Sequence, residues 1–415
     1  MRISDIFNHK KINRSQTSGI ILLTLSAIVL FFLNVPDGSY ATFKLSRPND
    51  ALPLKDLVLS GGPFNTVASM ILAFIGVRQF LKGGGRWIAL SLGFGFLITV
   101  AAFLVWATAD KSLNLTGMLQ ATVVRAVPIA LGALAGLLSE RVAVINIAIE
   151  GMLLAGAFTG ALAGSLFGGW GGMISAIIIG GSFGFILATL VITFRMDQII
   201  AGVVINLLVL GLTSYVSSQV FSEYRHLNNA PVFRAIKIPL LSDIPIIGPV
   251  IFSQNIFVYG ALILVAITTY YLFYTRNGLR ARAVGEHPKA ADTLGINVIR
   301  TRYFHVVLAG AVAGFGGAWF TLGSVGRFDE GMTGGRGFIG LAAMIFGRWH
   351  PVGALSAALV FGFADSLQQK LALLNTPIPS EFLAMAPYLA TIVVVAGIIG
   401  HARPPGAIGK PYQKE

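Results

Sequence analysis

Apolar runs separated by short polar stretches fill most of the chain. The first run is Gly19–Leu33, followed by Asn65–Val77 and Trp87–Ala107. From Met118 onward the runs are Met118–Leu138, Val142–Leu166, Met173–Phe194, Ile199–Val220, Ile256–Tyr274, Phe304–Leu322, Pro351–Leu371 and Phe382–Gly400. Most approach the ~20 residues that a helix needs to cross a bilayer. Phe338–Phe346 is shorter, only about half a membrane thick, and reads as a tilted helix that starts earlier or as a broken one. This pattern predicts an all-α polytopic membrane protein with about 12 apolar segments, hence about 10–12 transmembrane helices, because lipid-exposed backbone must satisfy its own hydrogen bonds. No small-residue cleavage site follows Gly19–Leu33, which reads as an uncleaved anchor.

Composition agrees. The 415 residues are 55% hydrophobic and 11% charged, against about a quarter charged in soluble domains. Four-residue glycine ridges (Gly132/Gly136, Gly156/Gly160/Gly164, Gly180/Gly184, Gly310/Gly314) predict close helix packing.

The net charge of +13 is explained by where the charges fall. Segments placed on the cytoplasmic side hold 19 Lys/Arg and 6 Asp/Glu, and those outside hold 10 and 9. The positive-inside rule then puts both termini in the cytoplasm and removes the need for a nucleic-acid partner; the bilayer is the partner that the basic face meets. Trp87, Trp106, Trp170 and Trp349 fall at predicted membrane boundaries, in aromatic-belt positions.

Catalytic chemistry is not legible. Without Cys there are no disulfides or thiolate sites. No G-x-x-x-x-G-K-[ST] phosphate loop occurs, and the six histidines are scattered with no ligand pair at helical spacing. The chain reads as a non-enzyme with no metal site and no cofactor of its own.

Three ionisable groups fall within apolar runs, where they are costly and mark pairing or function. Arg125 and Asp365 both lie roughly 10 Å deep from the outer side at the helical rise per residue, which makes an ion pair between them possible. Glu150 lies at a similar depth from the inner side, four residues from Asn146 and so on the same helix face. Gly151 offers a place for that helix to unwind, as in the broken helices of transporters. Asn206 is a neutral amide in Ile199–Val220. Arg125, Asn146, Glu150, Asn206 and Asp365 are the substrate-path candidates, and the plainer reading of each is a bond that locks the bundle.

The most basic interhelical stretch is YTRNGLRARAVGEHPKAADTLGINVIRTRY, Tyr274–Tyr303. Pro288 opens a short surface helix and Gly295 stops it. A solvated, topology-setting loop is the rival reading. This stretch, with GLLSERVAVINIAIEGMLLAGAF (Gly136–Phe158), DQIIAGVVINLLVLGLTSY (Asp197–Tyr215) and MTGGRGFIGLAAMIFGRWHPVGA (Met332–Ala354), resembles the bacterial ABC-importer permeases of the branched-chain amino acid, simple sugar and nucleoside superfamily. The nucleoside type is the most similar, and the resemblance covers about Met118 to Gly400.

That resemblance implies a domain plan: an extension with about three transmembrane helices over residues 1–115, a permease core over 116–402 and a cytoplasmic tail over 403–415. It implies a permease subunit in a bacterial cytoplasmic (inner) membrane. It also implies that Gly285–Gly295 forms a coupling helix docking on a cytoplasmic ABC ATPase, which would carry the ATP and Mg. Arg280, Arg282, Glu286, His287 and Lys289 would be rim contacts. Ala290, Ala291 and Leu294 would fit the groove, and Gly285, Pro288, Asp292 and Gly295 would shape the element. Further implied partners are a second homologous permease and an extracytoplasmic substrate-binding protein, with Phe221–Gln254 and Ser324–Gly337 as its docking candidates. The substrate would be a nucleoside. A simple sugar such as ribose is the alternative within the class, and an ion-coupled secondary transporter using Glu150 or Asp365 is the alternative outside it.

Overall fold

The computed structural model describes residues 13–374, apart from 37, 48, 49 and 51, together with 385 and 403–414. The apolar run Phe382–Gly400, apart from Met385, and the first twelve residues lie outside this set. Among the described residues, nine helices are long and apolar enough to cross a membrane. The chain forms two compact units, Met1–Thr116 with Gln369–Ser380, and Gly117–Gln368 with Glu381–Glu415.

In the first unit, α1 (Arg14–Phe31), α2 (Gly61–Lys82) and α3 (Ile88–Ala107) pack around Leu22, Val29, Ala68, Leu72 and Ala102. Residues 34–63, the polar stretch between the first two apolar runs, contain two strands. β1 (Tyr40–Lys44) pairs antiparallel with β2 (Leu57–Ser60), Tyr40 opposite Ser60, and parallel with β3 (Ser112–Asn114), Thr42 opposite Ser112. Alternation explains β1: Ala41 and Phe43 are buried while Tyr40 and Lys44 are exposed.

The second unit opens with α4 (Leu115–Glu140) and α5 (Ile149–Ala188). The two spans expected at Val142–Leu166 and Met173–Phe194 are the limbs of α5, which turns at Gly168 (φ 77°), a left-handed position open to glycine. The limbs fold onto each other: a methyl on Gly172 would strike the backbone of Gly160 and Gly164. Next come α6 (Gln198–Val216), a small ribbon of β4 (Ile236–Lys237) and β5 (Ser253–Gln254) enclosing α7 (Ile247–Ile251), then α8 (Ile256–Tyr274). Two short helices follow, α9 (Arg276–Glu286) and α10 (Pro288–Thr293), before α11 (Val298–Phe320), α12 (Arg336–Phe346) and α13 (Pro351–Leu373). The short run near Phe338 is therefore a helix of 11 residues.

The seam of this unit joins α11 to both limbs of α5, the most extensive helix pairing in the molecule. Gly156 and Gly180 meet Gly314, and Gly184 meets Gly310, so these ridges face one another and backbones touch. A π-helical turn at Thr321–Val325 ends α11, and such turns are frequent at functional sites.

Candidate functional site

The stretch between α4 and α5 is where the sequence reading needs correction. Asn146 and Glu150 do not share a helix face, because residues 141–148 are not helical and α5 begins only at Ile149. The chain leaves α4 through Ala143, left-handed at φ 63°, with the N–H groups of Val142 and Val144 folding back onto the Ser139 carbonyl. Side chains of α6 hold the unwound backbone: the Ile145 N–H donates to Gln198 Oε1 at 2.7 Å, and Asn206 Nδ2 donates to the Ile147 carbonyl at 2.9 Å. Asn206 Oδ1 accepts from the Gly151 N–H at 2.7 Å, and Gly151 lacks the side chain that would keep it away. Asn146 is fully buried; its Nδ2 lies 3.8 Å from Met152 Sδ, and its Oδ1 has no hydrogen bond.

Glu150 reaches across to α12. Its two oxygens accept from the N–H groups of Gly335 at 2.8 Å and Gly337 at 2.7 Å. A carboxylate at a helix N-terminus meets unpaired N–H donors and the positive end of the helix dipole. The half-length helix α12 is thus tied to the first turn of α5.

Above α12 lies a cavity of about 470 Å³. One face of α4 contributes Gly117, Gln120, Ala121, Val124 and Arg125, at helical spacing. Trp319 and Phe320 from the end of α11, Ser324 and Val325 from its π turn, and Asp329, Met332 and Arg336 complete the lining. Asp365 accepts from Arg336 Nη2 at 3.1 Å and also attracts the Arg125 guanidinium, so the expected Arg125–Asp365 neighbours are joined by a second arginine. Arg336 also sits over the Phe320 ring at 5.8 Å. Trp319 and Phe320 meet edge to face, centroids 5.1 Å apart. Of the substrate-path candidates, Arg125 lines this cavity and Asp365 is bonded to a lining residue, whereas Asn146, Glu150 and Asn206 hold the broken segment and α12. Trp319, Asp329 and Arg336 were not singled out. Arg336 lies in the quoted MTGGRG stretch, but Trp319 ends an apolar run like any boundary aromatic.

The basic stretch forms two helices rather than one. His287 joins them, its Nδ1 accepting from the Ala290 N–H at 3.2 Å, with Pro288 in the first turn of α10. Gly295 at φ 79° takes the left-handed stop after α10. Arg280, Glu286, His287, Lys289, Ala290 and Gly295 are exposed, as is Leu294 at 82%. Two expected contact residues instead face their own chain: Ala291 is buried, and the Arg282 guanidinium lies 5.1 Å over the Phe273 ring. Gly285, at the end of α9, packs on the Arg141 carbonyl.

Arg141 approaches the same ring at 5.5 Å and donates to the Trp349 carbonyl through Nε (3.1 Å) and Nη2. Burial, then the charge of Arg282, lowers the Arg141 pKa. Burial and Arg141 likewise lower His350, whose ring lies 4.7 Å from Phe273. Trp349 is not a belt residue: it is buried, its Nε1 donating to Glu140 Oε2 at 2.6 Å. The C-terminal tail adds a strap, with the Ala407 N–H on the Gly285 carbonyl at 3.0 Å and the Gly406 N–H on Glu286 Oε2 at 3.0 Å. Among the described residues, no cluster of His, Cys, Asp or Glu is arranged to hold a metal.

Residues 118–400 match the family described as branched-chain amino acid transport system / permease component. The chain is 42% identical over 304 residues to the guanosine ABC transporter permease protein NupQ of Bacillus subtilis, covering 71% of this chain and 95% of the relative. It is 39% identical to the nucleoside ABC transporter permease protein NupC of Lactococcus lactis, covering 69% and 93%. The putative glucose ABC transporter permease protein TsgC13 of Haloferax volcanii is 33% identical, covering 68% and 91%. A second permease from each of the first two organisms also matches, at 27% and 25% identity. No solved structure matches. These matches span most of the chain and nearly all of the relatives, so the chain belongs to the branched-chain amino acid transport system permease-component family, multi-pass membrane proteins that serve as the permease subunits of ABC transporters.

Proposed function

We propose that this chain is one half of the pore of a nucleoside importer, working with a second homologous permease, a cytoplasmic ATPase and an extracytoplasmic binding protein. The observation that carries the substrate is the identity with two permeases named for guanosine and for nucleosides, over more than nine-tenths of each. Pairing with a second permease is supported by the more distant permease of the same name series from each of those organisms.

In this reading the exposed edge of α9 and α10, from Arg280 through Lys289 to Leu294, docks on the ATPase, which holds the ATP and Mg. Movement of α9 would pass to the α4–α5 junction, because Gly285 rests on the Arg141 carbonyl. The ion-coupled alternative would use Glu150 or Asp365 as its carboxylate, yet both Glu150 oxygens accept from backbone N–H groups at the start of α12 and Asp365 is paired with Arg336.

Purification in a gentle detergent from the native membrane is expected to recover an ATPase and a second permease. Leu294→Asp is expected to abolish guanosine uptake and ATPase recovery while membrane insertion persists. Recovery of this chain alone, with uptake collapsed by an uncoupler but not by ATP depletion, would overturn the reading.

A further inference from the structure

The cavity above α12 has a chemistry that the transport reading leaves unused. Its wall combines two large rings, Trp319 and Phe320, with a hydroxyl at Ser324 and a carboxylate at Asp329. Trp319 is only 7% exposed, and its indole N–H has no hydrogen-bond acceptor. Buried donors are almost always paired, so an orphan in the wall of a cavity points to a missing group. Among the described residues the Asp329 carboxylate pairs with Arg327, an exposed contact 3.2 Å apart that water competes with readily. The charges deeper in are held in place: Arg336 is fixed between Asp365 and the Phe320 ring.

Trp319 and Phe320 stand edge to face, so a planar ring can lie along one of them and meet the edge of the other. Hydroxyl and carboxylate acceptors at the opening suit a vicinal diol. We propose that this cavity is a nucleoside subsite of the permease, the base lying against Trp319 and Phe320 and the ribose hydroxyls donating to Asp329. This rests on the nucleoside reading above and goes beyond it by giving the permease its own share of substrate recognition.

The test uses the co-purified importer in proteoliposomes, fed labelled guanosine or uridine. With Trp319→Ala the KM for guanosine should rise about tenfold, about 1.4 kcal/mol at 25 °C, with kcat little changed. The penalty should be larger for guanosine than for uridine, because the purine presents more ring to the wall; a merely structural role would weaken both alike. Asp329→Asn should raise KM for nucleosides several-fold and leave competition by the free base guanine unchanged. Ribose or leucine competing as strongly as guanosine would overturn the assignment. If Trp319→Ala fails to assemble, Phe320→Leu and Asp329→Asn carry the test. Normal guanosine KM in the variants, with a wild type that transports guanosine, sinks the subsite and leaves the nucleoside reading standing. A wild-type importer that transports no nucleoside removes both.

Discussion

The helices of the first unit and those of the second are held together by different chemistry. Along α1 and α2 the side-chain bonds are made by hydroxyls and an amide, beside one close approach of Gly19 to the Gly76 carbonyl. Ser26 Oγ donates to the Ser69 carbonyl at 2.9 Å, and Ser69 Oγ donates back to the Ser26 carbonyl at 3.1 Å. Ser18 Oγ donates to Gln79 Oε1 at 2.6 Å, and Ser15 Oγ donates to the Gln79 carbonyl at 2.9 Å. Between α5 and α11 the contacts are backbone on backbone, made by glycines on both sides. Lipid removes the hydrophobic drive between spans, so association rests on close packing and polar bonds. The polar seam uses a few separable bonds. The glycine seam uses a continuous surface whose closest contacts depend on the absence of a side chain.

The largest effect should come from breaking the glycine surface. A methyl on Gly314 would collide with the carbonyl of Ala176 and with the Cα of Gly180, and neither backbone can give way without moving a whole limb of α5. Gly314→Leu should abolish a folded, detergent-stable protein, seen as loss of the monodisperse peak in size-exclusion chromatography. A stable Gly314→Leu protein would mean that the limbs of α5 slide freely, contrary to interdigitated packing.

This seam was legible in the sequence, and the reason is periodic. Glycines four apart lie on one helix face whatever they meet, so the ridges at Gly156, Gly180 and Gly310 announced close approach before any partner was known. The spans were legible for a similar reason, since length and apolarity are local properties. What the sequence concealed are places where tertiary bonds override periodicity. Ile147 and Ala148 belong to an apolar run and read as helix, but Gln198 and Asn206 bind the backbone there and let it stay unwound. Depth alone brought Asp365 together with Arg125 but gave no sign that Arg336, placed outside the membrane by its loop, also bonds the carboxylate. The coupling stretch carried its caps in sequence, Pro288 and Gly295, yet helical propensity could not tell that Ala291 and Arg282 turn toward their own chain. The β1–β2–β3 sheet lay in a stretch too polar and too short to stand out among spans.

An intermediate effect should come from Glu150, which joins elements neither by a hydroxyl pair nor by bare backbone but by a charge on two N–H groups of α12. Hydrogen bonds to charged groups contribute about 1.5–3 kcal/mol, and removing one partner strands the buried donors. Glu150→Ala should lower the thermal midpoint clearly, whereas Glu150→Gln, which can still accept one bond, should recover part of the loss. Equal midpoints for the two variants would show that the carboxylate does not cap α12. Uptake should fall with stability in both, because α12 supplies Arg336 to the cavity wall.

The smallest effect is expected at Ser26. The Ser26–Ser69 pair exchanges two hydroxyl-to-carbonyl bonds and places its hydroxyls 3.0 Å apart, so either side chain alone still finds an acceptor in the other backbone. Interhelical bonds of this kind in a membrane average about 0.6 kcal/mol, because the separated helices also find partners. Ser26→Ala removes one donor, leaves the Ser69 hydroxyl bonded to the residue 26 carbonyl and opens little space. It should shift the thermal midpoint of the purified protein by only a degree or two. The double variant Ser26→Ala/Ser69→Ala should be nearly additive if the two bonds are separable, as the polar seam requires. A double variant that unfolds like Gly314→Leu would mean that α1 and α2 also form one indivisible surface. The close approach of Gly19 to the Gly76 carbonyl would then be the contact that governs the first unit.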